Sequence, residues 1–323
     1  MDPEAISVST NSKDEKEEKI QRQDGDKFRQ QWIMFFVLLS VAGFILGSKQ
    51  PKPPAVAANH TQQIQLATQE IAPKALEKTE PELVTLVDTM DEKVRTYKKN
   101  LKPDNFMETD PTALKITKEL QQLTQTLILK RYGTDKFRVL VDLVFPESIP
   151  GYSESTKTGQ LILEIAPIYL IPCSVYYFLE IARTWKSGSF HRNANHVLQV
   201  QAHSSVQKSM PFQEYSPHFP HQKGTVGYAG RPSGPAWYVS ILDNTRNHGP
   251  GSQQKHNPHE ADSNFGKVIQ GMDDVVPRIH SVPQTSWLDK ENQIAITKMT
   301  ILIPDAITPN QWIPWISTTT TTA

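Results

Sequence analysis

Two neighbouring segments determine the fold class of this chain: Phe137-Arg138-Val139-Leu140-Val141-Asp142-Leu143-Val144-Phe145 and Leu161-Ile162-Leu163-Glu164-Ile165. In the first segment every second residue is a buried-type apolar residue, which is the period of a β-strand with one buried face. The connecting residues 146–158 are rich in turn formers, so the two segments are predicted to form a hairpin. From residue 136 onward the chain is therefore expected to consist mainly of strands.

A helix is predicted directly after this hairpin, from Pro172 to Ala182. Ser174 is placed near its start as an N-terminal cap. Cys173, the single cysteine of the chain, lies on the same segment and is interpreted as a small buried side chain rather than a reactive thiol. One cysteine excludes an internal disulfide framework and a cysteine-based zinc site. The apolar residues that share one face of the predicted helix are Val175, Phe178, Leu179 and Ala182.

A fixed order of short motifs then follows along the chain. After Gly159-Gln160-Leu161-Ile162-Leu163-Glu164 and the Ser-Val-x-x-Phe helix come Gly188-Ser189-Phe190-His191-Arg192, Phe212-Gln213-Glu214, Gly224-Thr225-Val226-Gly227-Tyr228-Ala229-Gly230, Gly234-Pro235-Ala236-Trp237-Tyr238-Val239, and Asn264-Phe265-Gly266-Lys267-Val268-Ile269-Gln270-Gly271-Met272-Asp273. Alternation at Met299, Ile301 and Ile303 supplies a closing strand. In this order the motifs resemble the cyclophilin family of peptidyl-prolyl cis-trans isomerases, over about residues 135–305.

The fold implied by the resemblance is mainly β, a closed eight-stranded antiparallel barrel capped by two helices. Short alternating strands with many turns agree with it, because closure of a sheet removes its exposed edges. The domain is predicted to span 134–305, followed by a Thr-rich tail, 306–323.

Cyclophilins rotate the peptide bond that precedes proline, whose barrier is about 18–20 kcal/mol. Such a reaction needs no cofactor and no metal, only a pocket for the proline and donors that favour the twisted amide. By resemblance Arg192 supplies those donors, with His191 beside it as the second catalytic residue. The substrate-binding residues that the resemblance implies are Phe190, Val197, Leu198, Gln199, Gln201, Ala229, Gly230, Ala236, Trp237 and Tyr238.

Several of these positions depart from the family's pattern. Val197 stands where the family has an aromatic residue that forms one wall of the pocket, and the glutamine of the family's motif is either Gln199 or Gln201. Ala236 stands where the family has Gln, and Gly230 where it has Asn. The family's second Phe becomes Tyr238. Because losing one transition-state donor costs about 3–4 kcal/mol, weak isomerase activity is expected. A catalytically inactive peptide-binding module on the same fold is the alternative.

Two helices are predicted ahead of the barrel, in a stem covering 79–133. Thr79-Glu80-Pro81-Glu82 forms a capping box before the first, and Asp110-Pro111 begins the second. Each helix has a narrow apolar stripe, so packing on each other or on the barrel is favoured over a coiled coil.

Residues 32–48 are apolar without a charge and are predicted to be an uncleaved signal anchor, with a cleaved signal peptide or a buried helix as alternatives. The polar residues 1–31 are interpreted as a disordered cytoplasmic tail, and 49–78 as a flexible spacer. More cations precede the apolar run than follow it, which orients the C-terminal part to the lumen or outside, in the ER or Golgi. Asn59-His60-Thr61 matches the N-glycosylation acceptor pattern and is predicted to be glycosylated on that side.

Composition and motifs argue against several other classes of function. Lys+Arg and Asp+Glu both number 34, so the chain has no net positive charge that would attract nucleic acid. A Golgi-type glycosyltransferase is a second alternative, but its Asp-x-Asp motif occurs only as Asp24-Gly25-Asp26 in the predicted tail. His256 and His259 are interpreted as loop residues rather than metal ligands. The partners expected are proline-containing client segments and, through 32–48, a lipid bilayer; the oligomeric state is left open.

Overall fold

A ring of eight antiparallel strands forms the centre of the protein. The computed structural model describes residues 77–204, 209–231, 233–252, 257–283 and 286–316. The strands are β1 Arg138–Val144, β2 Thr158–Ile165, β3 Trp185–Asn193, β4 Val197–Ser204, β5 Thr225–Tyr228, β6 Trp237–Ser240, β7 Asn264–Gln270, β8 Ser286–Trp287, β9 Ile294–Pro304 and β10 Trp312–Pro314.

Strand pairing closes this sheet on itself. Hydrogen bonding runs in the order β9, β1, β2, β7, β5, β6, β4, β3, and an additional pairing joins β3 back to β9. The two remaining strands lie outside the ring, with β8 on β3 and β10 on β9. The predicted class, a mainly-β closed eight-stranded antiparallel barrel with a few helices, is therefore confirmed.

The barrel interior is filled by the inward-facing residues of these strands. Along β1 the buried and partly exposed positions alternate from Arg138 to Leu143, as the period of the sequence predicts. Phe178 from the helix after β2 stacks on Phe265 with ring centroids 4.1 Å apart and meets Trp237 edge-on. These aromatic contacts seal one region of the core with rings from three separate elements.

Both helices predicted ahead of the barrel are present, as α1 (Glu80–Asn100) and α2 (Pro111–Tyr132). The Glu82 carboxylate accepts from the Thr79 backbone N–H at 2.6 Å, and Asp110 caps α2 by accepting from the Ala113 N–H at 2.8 Å. The helices pack on each other, and α2 also packs on the helix after β2. They do not form a stem separate from the barrel, because their apolar stripes are buried in the same core.

The helix after β2 is α3 (Pro172–Arg183), as predicted. Ser174 is not its cap: it lies inside the helix, and Ile171 occupies the cap position without a side-chain hydrogen bond. The acceptor at this helix start is the Glu214 carboxylate, which accepts from the Ser174 N–H at 2.6 Å and the Cys173 N–H at 3.3 Å. Two short α-helices, α4 (Thr245–His248) and α5 (Val275–His280), and a 3-10 helix at Lys290–Asn292 complete the described elements.

Part of the predicted C-terminal tail is folded. Residues 312–314 form β10 on β9, and the Trp315 ring lies 4.7 Å from that of Tyr132 on α2. Arg138 lies over the Trp312 ring at 4.2 Å. Residues 312–315 of the predicted tail therefore pack on β9 and α2, whereas residues 306–311 are exposed.

The predicted membrane segment, residues 32–48, lies outside the described residues, as do Asn59 and Asp24-Gly25-Asp26. Among the helices that the structure does describe, none has both the length and the apolar character of a membrane span.

Candidate functional site

Arg192 lies near the end of β3, and strand register determines its neighbours. Arg192 pairs with Gln199 on β4, and Gln199 pairs with Tyr238 on β6. Directly paired residues project to the same face of a sheet, so these three side chains share the outer face of the barrel. One register position away, Phe190, Val200 and Trp237 form the corresponding inward-facing row. The arginine and the tyrosine predicted to cooperate are thus on one face, separated by one strand.

The guanidinium of Arg192 has two close partners. Its Nη1 donates to Gln199 Oε1 at 3.2 Å, and its Cζ lies 5.2 Å from the centre of the Trp287 ring. Of the two glutamines left open by the sequence, Gln199 therefore contacts the arginine. In the described part of the chain no carboxylate pairs with Arg192, and its Nε is buried without a hydrogen-bond partner. A half-buried positive charge with free donor capacity remains on this face.

His191, the second predicted catalytic residue, adjoins the same surface. Its ring lies 5.2 Å from the Trp287 ring at an angle of 69°. Partial burial, and after it the nearby charge of Arg192, lower the pKa of His191 below its usual value. Its Nε2 is buried without a hydrogen bond. At neutral pH the ring is uncharged and acts as an edge of the aromatic surface.

Trp287 is the residue of this surface that sequence reasoning missed. It lies on β8, which pairs with β3 so that Trp287 is opposite Arg192. Its side chain is 60% exposed, which is unusual for an indole. The only signal in the sequence is an apolar aromatic residue, because the two-residue strand that positions it is too short to show a period.

Three of the predicted substrate-binding residues are core residues. Phe190, Leu198 and Trp237 are each 0% exposed, and the Phe190 and Trp237 rings meet edge-on inside the barrel. A bound segment cannot reach them. Successive residues of a strand point to opposite faces of the sheet. Leu198 and Trp237 point inward because each precedes a residue of the outer face, Gln199 and Tyr238 respectively. The exposed aromatic surface next to Arg192 is supplied by Trp287 instead.

The remaining predicted positions contribute little polar chemistry. Val197 is on the outer face but only 3% exposed, and Gln201 lies two residues beyond Gln199, opposite Ser189. Residues 229, 230 and 236 flank the turn between β5 and β6, where the Ala229 N–H donates to the Ala236 carbonyl at 2.9 Å. This turn carries no side-chain donor at Ala229, Gly230 or Ala236. The polar contacts expected from the family's pattern are absent at these positions.

Tyr238, although it faces outward, is covered. It is 1% exposed because the His248 ring stacks on it with centroids 4.7 Å apart. Its hydroxyl lies 3.3 Å from Asp262 Oδ2 and donates to it. On the other side the ring rests on Gly227, where an added Cβ would lie 2.8 Å from the tyrosine oxygen. The aromatic ring nearest to Gln199 is therefore unavailable to a ligand in this conformation.

The cover belongs to a group of three histidines, the buried His221 and His248 and the half-buried His196, here called the histidine cluster. The ring centroids of His196 and His248 are 5.3 Å apart, and those of His221 and His248 are 6.1 Å apart. Asp262 is the shared acceptor: it accepts from Arg231 Nε at 2.8 Å and contacts His248 Nδ1 at 2.6 Å. The buried Arg231 guanidinium thus lies between Asp262 at 2.8 Å and the Glu260 carboxylate at 3.9 Å.

Burial sets the protonation of this cluster. Desolvation lowers the pKa of His221 to about 4, opposed in part by Asp262. Desolvation also lowers the pKa of His196, assisted by His248 and Arg192. The pKa of the Tyr238 hydroxyl is raised, first by burial and then by Asp262. His221 and His196 are therefore neutral at neutral pH.

Two clefts lie away from this region. One of about 760 Å³ is bounded by β1, β2 and α5, with Asp142, Phe145 and Arg278 in its lining. Another of about 600 Å³ lies between α2 and residues 212–215 and includes the exposed His259. Neither is lined by Arg192. Within the described ranges, no three His, Cys, Asp or Glu side chains are arranged to hold a metal ion.

Comparisons with known proteins were made at the level of sequence and of structure. No family model matches the chain, and no curated protein matches it. Among solved structures, it is similar to the cyclophilin type peptidyl-prolyl cis-trans isomerase of Cryptosporidium parvum, with 15% identity, a TM-score of 0.34, and coverage of 51% of this chain and 97% of that one. The structure of that protein in the presence of the dipeptide Ala-Pro gives 15% identity, a TM-score of 0.32, and coverage of 49% and 96%.

Proposed function

We propose that this chain is a cyclophilin-like protein that binds extended, proline-containing segments of client proteins on the outer face of its barrel, around Arg192. The observation that carries the proposal is the Arg192 guanidinium held by Gln199 beside the exposed Trp287 ring. The order of cyclophilin-type motifs along residues 135–305 supports the same assignment.

The chemistry of these side chains suits such a ligand. A guanidinium offers several donors in a fixed plane and stays charged, so Arg192 can donate to backbone carbonyls of an extended segment. An exposed aromatic ring provides a flat apolar surface of the kind on which proline-rich segments dock. Trp287 and the neutral His191 form that surface next to the free donors of Arg192.

Binding without efficient isomerisation is the form of the function that the geometry favours. Tyr238 is covered by His248, and Ala236 and Gly230 carry no donor for a twisted amide. Isomerase activity is the second candidate, because the Arg192–Gln199 pair remains intact on the accessible face. The loss of two donors would reduce the rate by about 10⁴ or more if each costs 10²–10³.

Two measurements on the full chain separate these candidates. Binding of a labelled peptide with a central Ala-Pro bond is followed by fluorescence anisotropy, and isomerisation of the same bond by exchange spectroscopy. Arg192→Ala should weaken binding by about tenfold to a hundredfold, since hydrogen bonds to charged groups contribute about 1.5–3 kcal/mol. Trp287→Ala should weaken it by about tenfold.

A matched control is available on the barrel itself. Arg138 and Trp312 form another arginine–tryptophan pair, away from β3. Arg138→Ala and Trp312→Ala should leave peptide affinity unchanged. Equal affinity for the native protein, Arg192→Ala and Trp287→Ala would refute the proposal, while isomerisation that vanishes in Arg192→Ala would restore the enzyme as the primary function.

We also propose that residues 32–48 anchor the chain as a type II membrane protein with its barrel in the secretory lumen or outside the cell. Support comes from the uncharged apolar run, the excess of cations before it and the Asn59-His60-Thr61 triplet after it. Treatment of the expressed protein with a glycosidase should increase its gel mobility, and Asn59→Gln should abolish that change. An unmodified Asn59 in a secretory cell would oppose this orientation.

A further inference from the structure

The segment that covers Tyr238 is held by backbone hydrogen bonds at the three histidines of the cluster, including one from the Asp262 N–H to the His248 carbonyl at 2.9 Å. This covering segment, residues 241–248, contains α4 and places His248 on the tyrosine ring. The Ile241 N–H donates to the His196 carbonyl at 3.0 Å, and the Asn244 side chain donates to the same oxygen at 2.9 Å. The Asn244 N–H donates to the His221 carbonyl at 2.8 Å. Two of the three histidines thus fasten the segment through their backbones, and the third is part of it.

Among the described residues, the two carboxylates beside the cluster, Asp262 and Glu260, both already face the Arg231 guanidinium. Asp262 is 2% exposed and already accepts from Arg231, contacts His248 and accepts from the Tyr238 hydroxyl. Glu260 is 3.9 Å from Arg231, too far for a strong bond. A proton on His221, which is 0% exposed, would add a buried cation that the nearby charge of Arg231 repels. The charged and titratable groups that face the cluster are Tyr215, Arg192, Arg231, Tyr238, Asp243, Glu260 and Asp262.

We infer that the histidine cluster is an acid-sensitive latch: protonation of His221 releases the covering segment and uncovers the Tyr238 ring next to Gln199 and Arg192. The biological role of the latch rests on the proposed function, because the uncovered Tyr238 ring would extend the surface that binds the peptide. The opening itself does not require a peptide. At neutral pH the surface consists of Arg192, Gln199, Trp287 and His191; in acid it gains the Tyr238 ring.

Linkage gives the size of the effect. His221 has a pKa of about 4 in the closed form and 6.5 when exposed. The equilibrium constant for opening is therefore about twentyfold larger near pH 5 than near pH 7. Lowering the pH below 6.5 therefore favours opening, because the open form binds the proton that the closed form excludes.

Hydrogen exchange of the full chain, followed by mass spectrometry and corrected for intrinsic rates, measures the opening of residues 241–248. We expect about twentyfold faster corrected exchange near pH 5 than near pH 7. His221→Leu should abolish this acceleration, whereas His203→Gln, at an exposed histidine on β4, should retain it. Unchanged corrected exchange in the native protein, or full acceleration in His221→Leu, would overturn the latch.

A second readout keeps the test decisive if His221→Leu does not fold. Hydroxyl-radical footprinting of the native chain reports access to the Tyr238 ring, which should rise in acid while that of Tyr228, inside the barrel at 1% exposure, stays constant. Tyr238 protected equally at both pH values would also refute the latch. Peptide binding measured in parallel tests the proposed function separately: opening without peptide binding would leave the latch standing and remove the client-binding role.

Discussion

Replacing Glu214 should destabilise the protein more than replacing any exposed carboxylate, because this side chain joins three parts of the fold. It lies on the chain between β4 and β5 and is 2% exposed. Its Oε2 accepts from the N–H and the hydroxyl of Ser174 at 2.6 and 2.8 Å, at the start of α3. Its Oε1 accepts from Gln121 Nε2 on α2 at 2.8 Å and from the Cys173 N–H at 3.3 Å.

The magnitude follows from the donors left behind. Glu214→Ala leaves two backbone N–H groups and two side-chain donors without acceptors in the interior, at about 1–3 kcal/mol for each that water cannot reach. An opposing contribution comes from the carboxylate itself, since burial raises the pKa of Glu214 and so disfavours its ionised form. We expect a net loss of about 3–5 kcal/mol in the free energy of unfolding, the range for removing one partner of a buried charged contact.

Denaturant unfolding of the full chain measures this loss, with Glu119→Ala as the matched control on α2. Glu119 is half-buried and lies 3.8 Å from Lys93, so its removal should change stability by about 0.5 kcal/mol or less. Glu214→Gln should fall between the two, because its amide would present a donor to the donors of Ser174. A Glu214→Ala protein as stable as Glu119→Ala would show that water or rearrangement satisfies the start of α3.

Three further predictions concern stability measured in the same way. Gly227→Ala should cost about 1–3 kcal/mol, because the new Cβ would lie 2.8 Å from the Tyr238 oxygen; a neutral effect would mean that the tyrosine can move. Arg131→Met should cost about 3 kcal/mol by leaving the buried Glu180 carboxylate without one of its two arginine partners, and unchanged stability would contradict that pairing. The low pKa of His221 means that the unfolded chain binds a proton that the folded chain excludes, so stability should fall by about 2 kcal/mol from pH 7 to pH 5, and His221→Leu should show a smaller fall.

Local patterns in the sequence were sufficient for the elements and for the class of fold. The period-two alternation of Phe137–Phe145 predicts β1, and the capping residues Thr79 and Asp110 predict the starts of α1 and α2. These signals depend on neighbours within a few residues, so a single sequence contains them. Closure of the barrel through the β3–β9 pairing depends on contacts about a hundred residues apart, and it was predicted from the order of motifs rather than from any one strand.

Long-range contacts explain what the sequence did not predict. The cap of α3 is supplied by Glu214, forty residues away, so the nearby Ser174 was a reasonable but wrong assignment. Trp287 joins the arginine through a two-residue strand, and His248 covers Tyr238 from a four-residue helix. Elements this short carry no periodic signal, and only the folded chain shows which surface they reach.

The outer row of Arg192, Gln199 and Tyr238 therefore has two halves with opposite properties. One half is open, with a guanidinium that lacks a carboxylate partner among the described residues. The other half is closed by the histidine cluster, where Asp262 is shared by Arg231, His248 and Tyr238. A proline ring gripped by Tyr238 requires the closed half to open, whereas a segment lying on Trp287 does not. Under the proposed function, binding at neutral pH therefore uses the open half, and any isomerisation that needs the Tyr238 ring requires conditions that displace His248.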